Sequence, residues 1–464
     1  MKRHAMCAAT VLVLAVAAPV RAGGTCESHT LDSVTLGEER TISVYLPDGY
    51  TAGGEGFPVI YWHSHGEGCW PDILEPTVEA MFAEDLIDPA IVVFFETHDA
   101  PFPGDPDVGS DTSWSFMLNS RVMGPYRDYV VDELIPWVDW NYNTVPDRSH
   151  RFMTGHSGNA YGPWRLALER PDLFSKISGM QGLYEWTIMR KRCYAVYLEA
   201  VASGESPPYQ YAVGNGFWTF MFHAMSAVLL QNDTGPPWYD FPLDGDGEPI
   251  DSLWQRIFDQ DIGAIIDNGP DNARGLDLYF GVGLDDDQVS GHAENLAAAL
   301  DANEIPYVFH TYPGGHGGDD FVRDRIPVHL THFMPIKATA QVSPRVADPR
   351  IYPRLLRVAI ELPGDLDVDE IDCSSLTLID INGERLDRPV GGIGSCEISD
   401  LNGNGRNDLS AWLRCDRITH AAFAAGAEAG DRVNLTVRGE LEDDRFFAAS
   451  DSVTLATGPR AAVD

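Results

Sequence analysis

The chain has 464 residues, 44% of them hydrophobic and 22% charged, too long for one ordinary core and too apolar for a disordered polymer. It carries 70 acidic against 32 basic residues, a formal net charge of -38. That excess repels phosphate backbones and anionic lipid, so neither nucleic acid nor a membrane surface is expected as a partner.

In chain order, Lys2, Arg3 and His4 precede an apolar stretch over 7–20, and Val20-Arg21-Ala22 is a small-x-small cleavage pattern. The stretch is too short to span a bilayer. Residues 1–22 therefore read as a secretory signal peptide, with the mature chain starting at Gly23 and a secreted or periplasmic location. No later run is long enough for a membrane span. Loss of Cys7 leaves Cys26, Cys69, Cys193, Cys373, Cys396 and Cys415. An even number in an exported protein points to disulfides.

Residues 35–180 alternate strand and helix patterns. Strands are expected at 41–45 (TISVY), 57–62 (FPVIYW), 90–95 (AIVVFF) and 151–154 (RFMT). Continuous apolar runs of this kind suit parallel strands buried on both faces. Residues 126–141 carry helical spacing through Tyr129, Val130, Leu134, Trp137 and Val138. This predicts an α/β sheet with crossover helices. Residues 183–270 break the rhythm with aromatics and then Pro, Gly and Asp, and read as a lid or insertion. The α/β pattern returns at 276–282, 293–303 and 307–311. Residues 337–350 have several prolines and no clear period, so a linker is placed there. Beyond it, short β-type runs between turns predict a small antiparallel β-sandwich over 351–464. Three cysteines fall on each side of that boundary, and one bridge within each domain is expected.

The chemistry concentrates at Gly155-His156-Ser157-Gly158-Asn159, between a strand and a helix. A serine on such a turn is a nucleophile elbow, exposed at the carboxyl end of the sheet beside a helix N-terminus. Asn159 stands where the GxSxG pattern has glycine, and asparagine tolerates left-handed backbone better than most residues. The base is expected at His316, in Tyr312-Pro313-Gly314-Gly315-His316 after the last strand, with His310 inside the strand as its rival. The acid lies among Asp285, Asp286 and Asp287, and the spacing from Gly283 favours Asp286. The oxyanion needs two backbone amides. Gly158 supplies one, and the loop 63–68 the other, with Glu67 favoured and Gly66 next. His63 and His65 form a possible metal pair that lacks a third ligand at a recognisable spacing.

The pieces NS…GPY…ELIPWVD, the elbow followed by YG…RLAL…PDLF, and YPGGH stand in one order. Residues 33–335 thereby resemble the esterase family of α/β hydrolases that includes S-formylglutathione hydrolases, feruloyl and acetylxylan esterases, and mycolyltransferases. The resemblance implies an α/β-hydrolase fold over 23–336, a catalytic serine at Ser157, a histidine at His316 and an aspartate at Asp286. The family usually reads GHSMGG where this chain reads GHSGNA. In the C-terminal part, Asp400, Asn402, Asn404 and Asp408 fall at positions 1, 3, 5 and 9 of a loop with Gly405 at position 6. The segment resembles the DxDGDGxxDL loop of small bacterial β-sandwich modules, which implies a structural calcium ion.

Together these features predict an exported serine esterase acting on a small-molecule or polysaccharide-linked ester, with no cofactor for catalysis. Acyl transfer within the same family, and a non-catalytic binding protein on an esterase-like fold, are the alternatives.

Overall fold

The computed structural model describes residues 23–64, 68–69, 80–82, 85–97, 114–289, 291–350, 354–392 and 396–456. Eight strands form the first sheet: β1 (Thr25–Ser33), β2 (Glu38–Leu46), β3 (Val59–His63), β4 (Ile91–Phe95), β5 (Arg151–His156), β6 (Lys176–Met180), β7 (Asp277–Gly283) and β8 (Val308–Tyr312). Their order is β1-β2-β4-β3-β5-β6-β7-β8. The first two pairings, β1 with β2 and β2 with β4, are antiparallel. All others are parallel. This is the α/β-hydrolase arrangement that the resemblance implied. Every residue of β3, β4 and β7 is buried, as continuous apolar runs require in a sheet covered on both faces.

Residues 126–141 form a helix with one wider π turn over Tyr129–Leu134, and Tyr126, Tyr129, Val130, Leu134 and Val138 are buried. Residues 183–270 are mostly helical: Thr187–Arg190, Cys193–Ala202, Phe217–Leu229, Asp251–Phe258, Ile262–Asn268. Tyr184, Trp186, Phe220, Phe222 and Trp254 are buried in the same apolar cluster as Tyr61 and Val93 of the sheet. Most aromatics of this region thus serve packing.

After the helix Asp319–Phe333 the chain enters a strand-rich domain: β9 (Ile336–Ser343), β10 (Leu355–Glu361), β11 (Ile371–Ile381), β12 (Glu384–Gly391), β13 (Glu397–Ser399), β14 (Asp408–Arg414), β15 (Arg432–Leu441) and β16 (Phe446–Leu455). Pairing runs β12-β11-β15-β16-β9-β10-β14-β13. It is antiparallel except between β9 and β16. Residues 337–350, expected to be a linker, instead contribute most of β9 and the short strand Val346–Ala347, which pairs with β16. Pro344 and Pro349 interrupt the stretch, but within β9 Ile336, Ala338, Ala340 and Val342 alternate with polar residues, Ile336 and Val342 being buried and the two alanines packed against the core.

The two domains share a core. Trp62, Phe94 and Phe152 of the first sheet pack in one cluster with Leu330 and Phe333 of the helix and with Val358, Leu378 and Val437 of the second sheet. Beside it lies a buried ion cluster. Asp277, at the start of β7, accepts from Arg438 at 2.7 Å and from Arg385 at 2.8 and 2.9 Å. Burial would lift the Asp277 carboxyl, but the two arginines, His332 and Lys176 outweigh it and hold it well below the usual range. Disulfides join Cys26 to Cys69 and Cys373 to Cys396, one within each domain as expected, and Cys193 and Cys415 are buried thiols. Among the described residues no helix is long and apolar enough to cross a membrane.

Candidate active site

The three expected residues follow the carboxyl ends of the parallel strands β5, β7 and β8, where ligands meet an open α/β sheet. Ser157 comes directly after β5, Asp286 three residues after β7, and His316 four after β8. His316 Nε2 lies 2.8 Å from Ser157 Oγ, and His316 Nδ1 lies 2.8 Å from Asp286 Oδ2. Asp286 is 2% exposed, whereas Asp285 and Asp287 are exposed, so among the three candidates only Asp286 meets the histidine. The amides of Gln288 and Val289 donate to Asp286 Oδ1 at 2.9 and 3.1 Å. Burial favours the protonated acid, yet the His316 bond and these amides prevail and hold its carboxyl below the usual range. His310, the rival, sits at the domain contact with Nε2 2.9 Å from Glu440.

The elbow is tight. Ser157 has φ +55, a left-handed conformation that costs a non-glycine residue energy and aims its hydroxyl out of the strand line. A side chain at Gly155 would come within 2.1 Å of the Asn159 carbonyl, and one at Gly158 within 2.6 Å of the Trp114 ring. The left-handed tolerance invoked for Asn159 is not what places it there, since the positive φ belongs to Ser157. Instead Asn159 Nδ2 donates to the Ser64 carbonyl at 2.7 Å. His63 contacts the Asn159 carbonyl through Nδ1 and Thr97 Oγ1 through Nε2, both at 2.9 Å. Through these two contacts His63 brackets β3 against the elbow. Glu67 and Gly66, the expected second oxyanion donors, and His65 lie outside the described residues.

One residue of the site escaped the sequence. Gln181, fully buried with φ +48, follows β6 and grips the histidine loop on both sides of His316. Its Nε2 donates to the Gly315 carbonyl at 2.5 Å, and its Oε1 accepts from the Gly317 amide at 2.6 Å. The same oxygen lies 3.1 Å from His156 Nε2, and the His156 ring packs 5.1 Å from that of His316. Burial pushes His156 down to about 4, so it stays neutral beside the base at neutral pH. The only signal for Gln181 was a polar residue at the end of a buried strand. Gln181→Leu is expected to lower kcat by about 10–100-fold with KM nearly unchanged, since a misplaced base costs rate rather than binding. Steady-state kinetics giving an unchanged kcat would show that His316 keeps its place unaided.

In the C-terminal domain, the Asp400 carboxylate accepts the amides of Gly403, Asn404 and Gly405, and Asp408 accepts that of Leu401. Asn402 and Asn404 both face Glu361 on β10, at 3.0 Å from its Oε2. Glu361 is a further carboxylate at this loop, which a linear spacing cannot reveal.

Sheet order and these loops place the chain among the α/β hydrolases. A family model described as "Putative esterase" matches residues 33–332, and the chain belongs to that family. It is similar to Esterase Rv1288 of Mycobacterium tuberculosis, 26% identical over 299 residues that cover 62% of this chain and 55% of the relative. It is 30% identical over 162 residues to an endo-1,4-beta-xylanase/feruloyl esterase of Xylanibacter ruminicola, covering 32% of this chain and 20% of the relative. The chain thus spans about half the length, or less, of these two curated relatives. Among solved structures, an S-formylglutathione hydrolase from Agrobacterium tumefaciens aligns with 67% of this chain and 95% of its own, at 19% identity and a TM-score of 0.45.

Proposed function

We propose that this chain is an exported serine hydrolase of carboxylic esters that works through an acyl-enzyme at Ser157. The observation that carries the reading is the unbroken run from Asp286 through His316 to Ser157 Oγ, with 2.8 Å at each step. Ser157 Oγ attacks the ester carbonyl while His316 Nε2 takes its proton, and His316 then returns the proton to the leaving alcohol. Asp286 fixes the tautomer of His316 and stabilises the imidazolium. The amides of Gly158 and Glu67 hold the oxyanion. Water, activated by His316, then releases the acid.

The feruloyl esterase relative supports an ester linked to a polysaccharide as one substrate class, alongside small-molecule esters. A fluorophosphonate probe is expected to label Ser157 and to leave Ser157→Ala unlabelled, and a panel of acetyl, butyryl, feruloyl and long-acyl esters then defines the acyl pocket. A folded protein that neither labels nor turns over any member of the panel is not a serine esterase. The two disulfides support export into an oxidising compartment. N-terminal sequencing of the exported protein is expected to begin at Gly23.

The loop from Asp400 to Asp408 is proposed to hold a structural calcium ion, because Asp400, Asn402, Asn404 and Asp408 carry oxygens of the type calcium takes, while Glu361 pairs with Asn402 Nδ2, Asn404 Nδ2 and Arg406. Calcium that binds only the folded chain raises stability by mass action. Chelation is expected to lower the Tm by about 2–4 °C and leave kcat unchanged. Asp400→Ala is expected to remove the difference between chelated and calcium-loaded protein. A Tm that ignores chelation makes the loop a plain turn.

A further inference from the structure

The helix Cys193–Ala202 is apolar on every side. Cys193, Val196 and Ala200 face the core, whereas Tyr194, Leu198 and Val201 are 68%, 45% and 43% exposed. Steps of four and then three residues put these last three in one stripe along the outer face. The helix carries one acidic or basic residue, Glu199. Its carboxylate turns to the neighbouring helix and accepts the amides of Trp218 and Thr219 at 3.0 and 2.7 Å. Phe217, at the start of that neighbour, is 54% exposed as well. Among the described residues ten large hydrophobic side chains are exposed, and four of them stand in this one region. Single exposed apolar residues need no explanation, but a cluster marks an interaction surface, and a helix apolar all round is normally covered all round.

Opposite charges bound the stripe. Lys191 has helical backbone (φ -63, ψ -18) and precedes Tyr194 by three residues, so it continues the stripe. It is exposed and has no ion pair among the described residues. Its neighbours are engaged: Arg190 pairs with Asp251 at 2.6 Å, and Arg192 lies over the Trp218 ring at 4.5 Å. At the other end Gly204, with φ +86, stops the helix, and Glu205 follows. Glu205 accepts from the Gln210 amide and from Asn215 Nδ2, both at 3.2 Å. Among the described residues no lysine or arginine pairs with it.

We propose that this stripe is a homodimer interface in which two copies of the helix pack antiparallel about a two-fold axis at Leu198. Lys191 and Glu205 each stand seven residues from Leu198. The axis therefore sets Lys191 against the partner's Glu205, and Glu205 against the partner's Lys191, with apolar side chains between the two pairs. A parallel pairing would oppose lysine to lysine and glutamate to glutamate, so charge selects the antiparallel one. The aliphatic middle, Leu198 and Val201, offers a sugar chain no hydrogen bonds and suits the same stripe on a second copy. Two chains of net charge -38 repel over most of their surfaces. Arg190-Lys191-Arg192 is the only run of three basic residues after residue 22, so the acidic excess is reversed locally and close approach costs least at this edge. The interface does not depend on the esterase reading.

Sedimentation velocity of the chain from about 1 to 200 µM, in about 0.15 M sodium chloride, is expected to show a reversible monomer–dimer equilibrium. Leu198→Asp sets two carboxylates face to face on the axis. It is expected to leave the chain monomeric throughout, with unchanged circular dichroism because Leu198 faces solvent. Lys191→Glu and Glu205→Lys are each expected to weaken the dimer at least about tenfold, since each opposes two pairs of like charges. An equimolar mixture of these two variants is expected to dimerise at least as tightly as wild type. Each copy then carries one sign at both ends of the stripe and meets the other sign in its partner. A wild-type chain that stays monomeric over the whole range overturns the proposal and leaves the stripe to a sugar chain or a lipid. A dimer that survives Leu198→Asp places the interface on another face. Single charge variants that dimerise like wild type, or a mixture no tighter than its components, overturn the antiparallel pairing.

Discussion

Ser157→Ala is expected to lower kcat for ester hydrolysis by about 10⁶-fold, His316→Ala by a similar factor, and the double variant by no more, because nucleophile and base act as one unit. Asp286→Asn is expected to cost about 10⁴-fold, since an amide favours the wrong tautomer of His316. The elbow sharpens this series with a stability readout. Ser157 holds φ +55, and alanine keeps that strain while glycine relieves it. Ser157→Gly is therefore expected to be about 1 kcal/mol more stable than Ser157→Ala, although both are inactive. Equal melting of the two variants would show that the elbow is not strained. Activity retained in His316→Ala would move the base elsewhere.

Asp277→Ala is expected to destabilise the chain by about 3–5 kcal/mol, because it removes the main counter-charge of Arg438 and Arg385, which sit together near Lys176. The Asp277 side chain is 4% exposed and that of Arg438 10%, so solvent screens them little. The Asp277 carboxyl is held well below its ordinary value. Its contribution is therefore complete above the unfolded value near 4 and is lost as pH falls through the lower folded value. Urea melts of wild type and Asp277→Asn are expected to differ by a constant amount from pH 7 to 5 and to converge below about pH 4. A difference that persists unchanged at pH 3 would assign the effect to packing rather than charge.

What could be read in advance was what local pattern controls. The all-apolar strands β3 and β4, the Gly-His-Ser-Gly turn and the YPGGH loop each announce themselves within a few residues, because burial on two faces and a strand-to-helix turn constrain neighbours in sequence. Asp286 was one of three adjacent candidates, and the choice depends on which of them the loop turns inward, which the chain sets through the Gln288 and Val289 amides. Gln181 and Glu361 were invisible because their partners lie more than 130 and about 40 residues away. The residues 337–350 are a different case: Ile336, Ala338, Ala340 and Val342 alternate with polar residues as a strand does, but two of the four are small alanines and Pro344 cuts the run short, so the signal is weak. Asn159 read as a defect of the motif until its bond to Ser64 gave it a task.

The strand β7 has Asp277 at its first residue and ends at Gly283, three residues before the acid that meets His316. Its length is about 20 Å. It works as a strut: one end is riveted by arginines of the C-terminal domain, the other carries the loop of Asp286. With apolar packing shared across the same contact, the second domain has no free swing. If that domain rests on a surface, the reactive edge is presented to it at one fixed height and heading. On the proposed function, substrate then comes to Ser157 along a direction chosen by the fold, rather than being reached by a tethered enzyme searching on a leash.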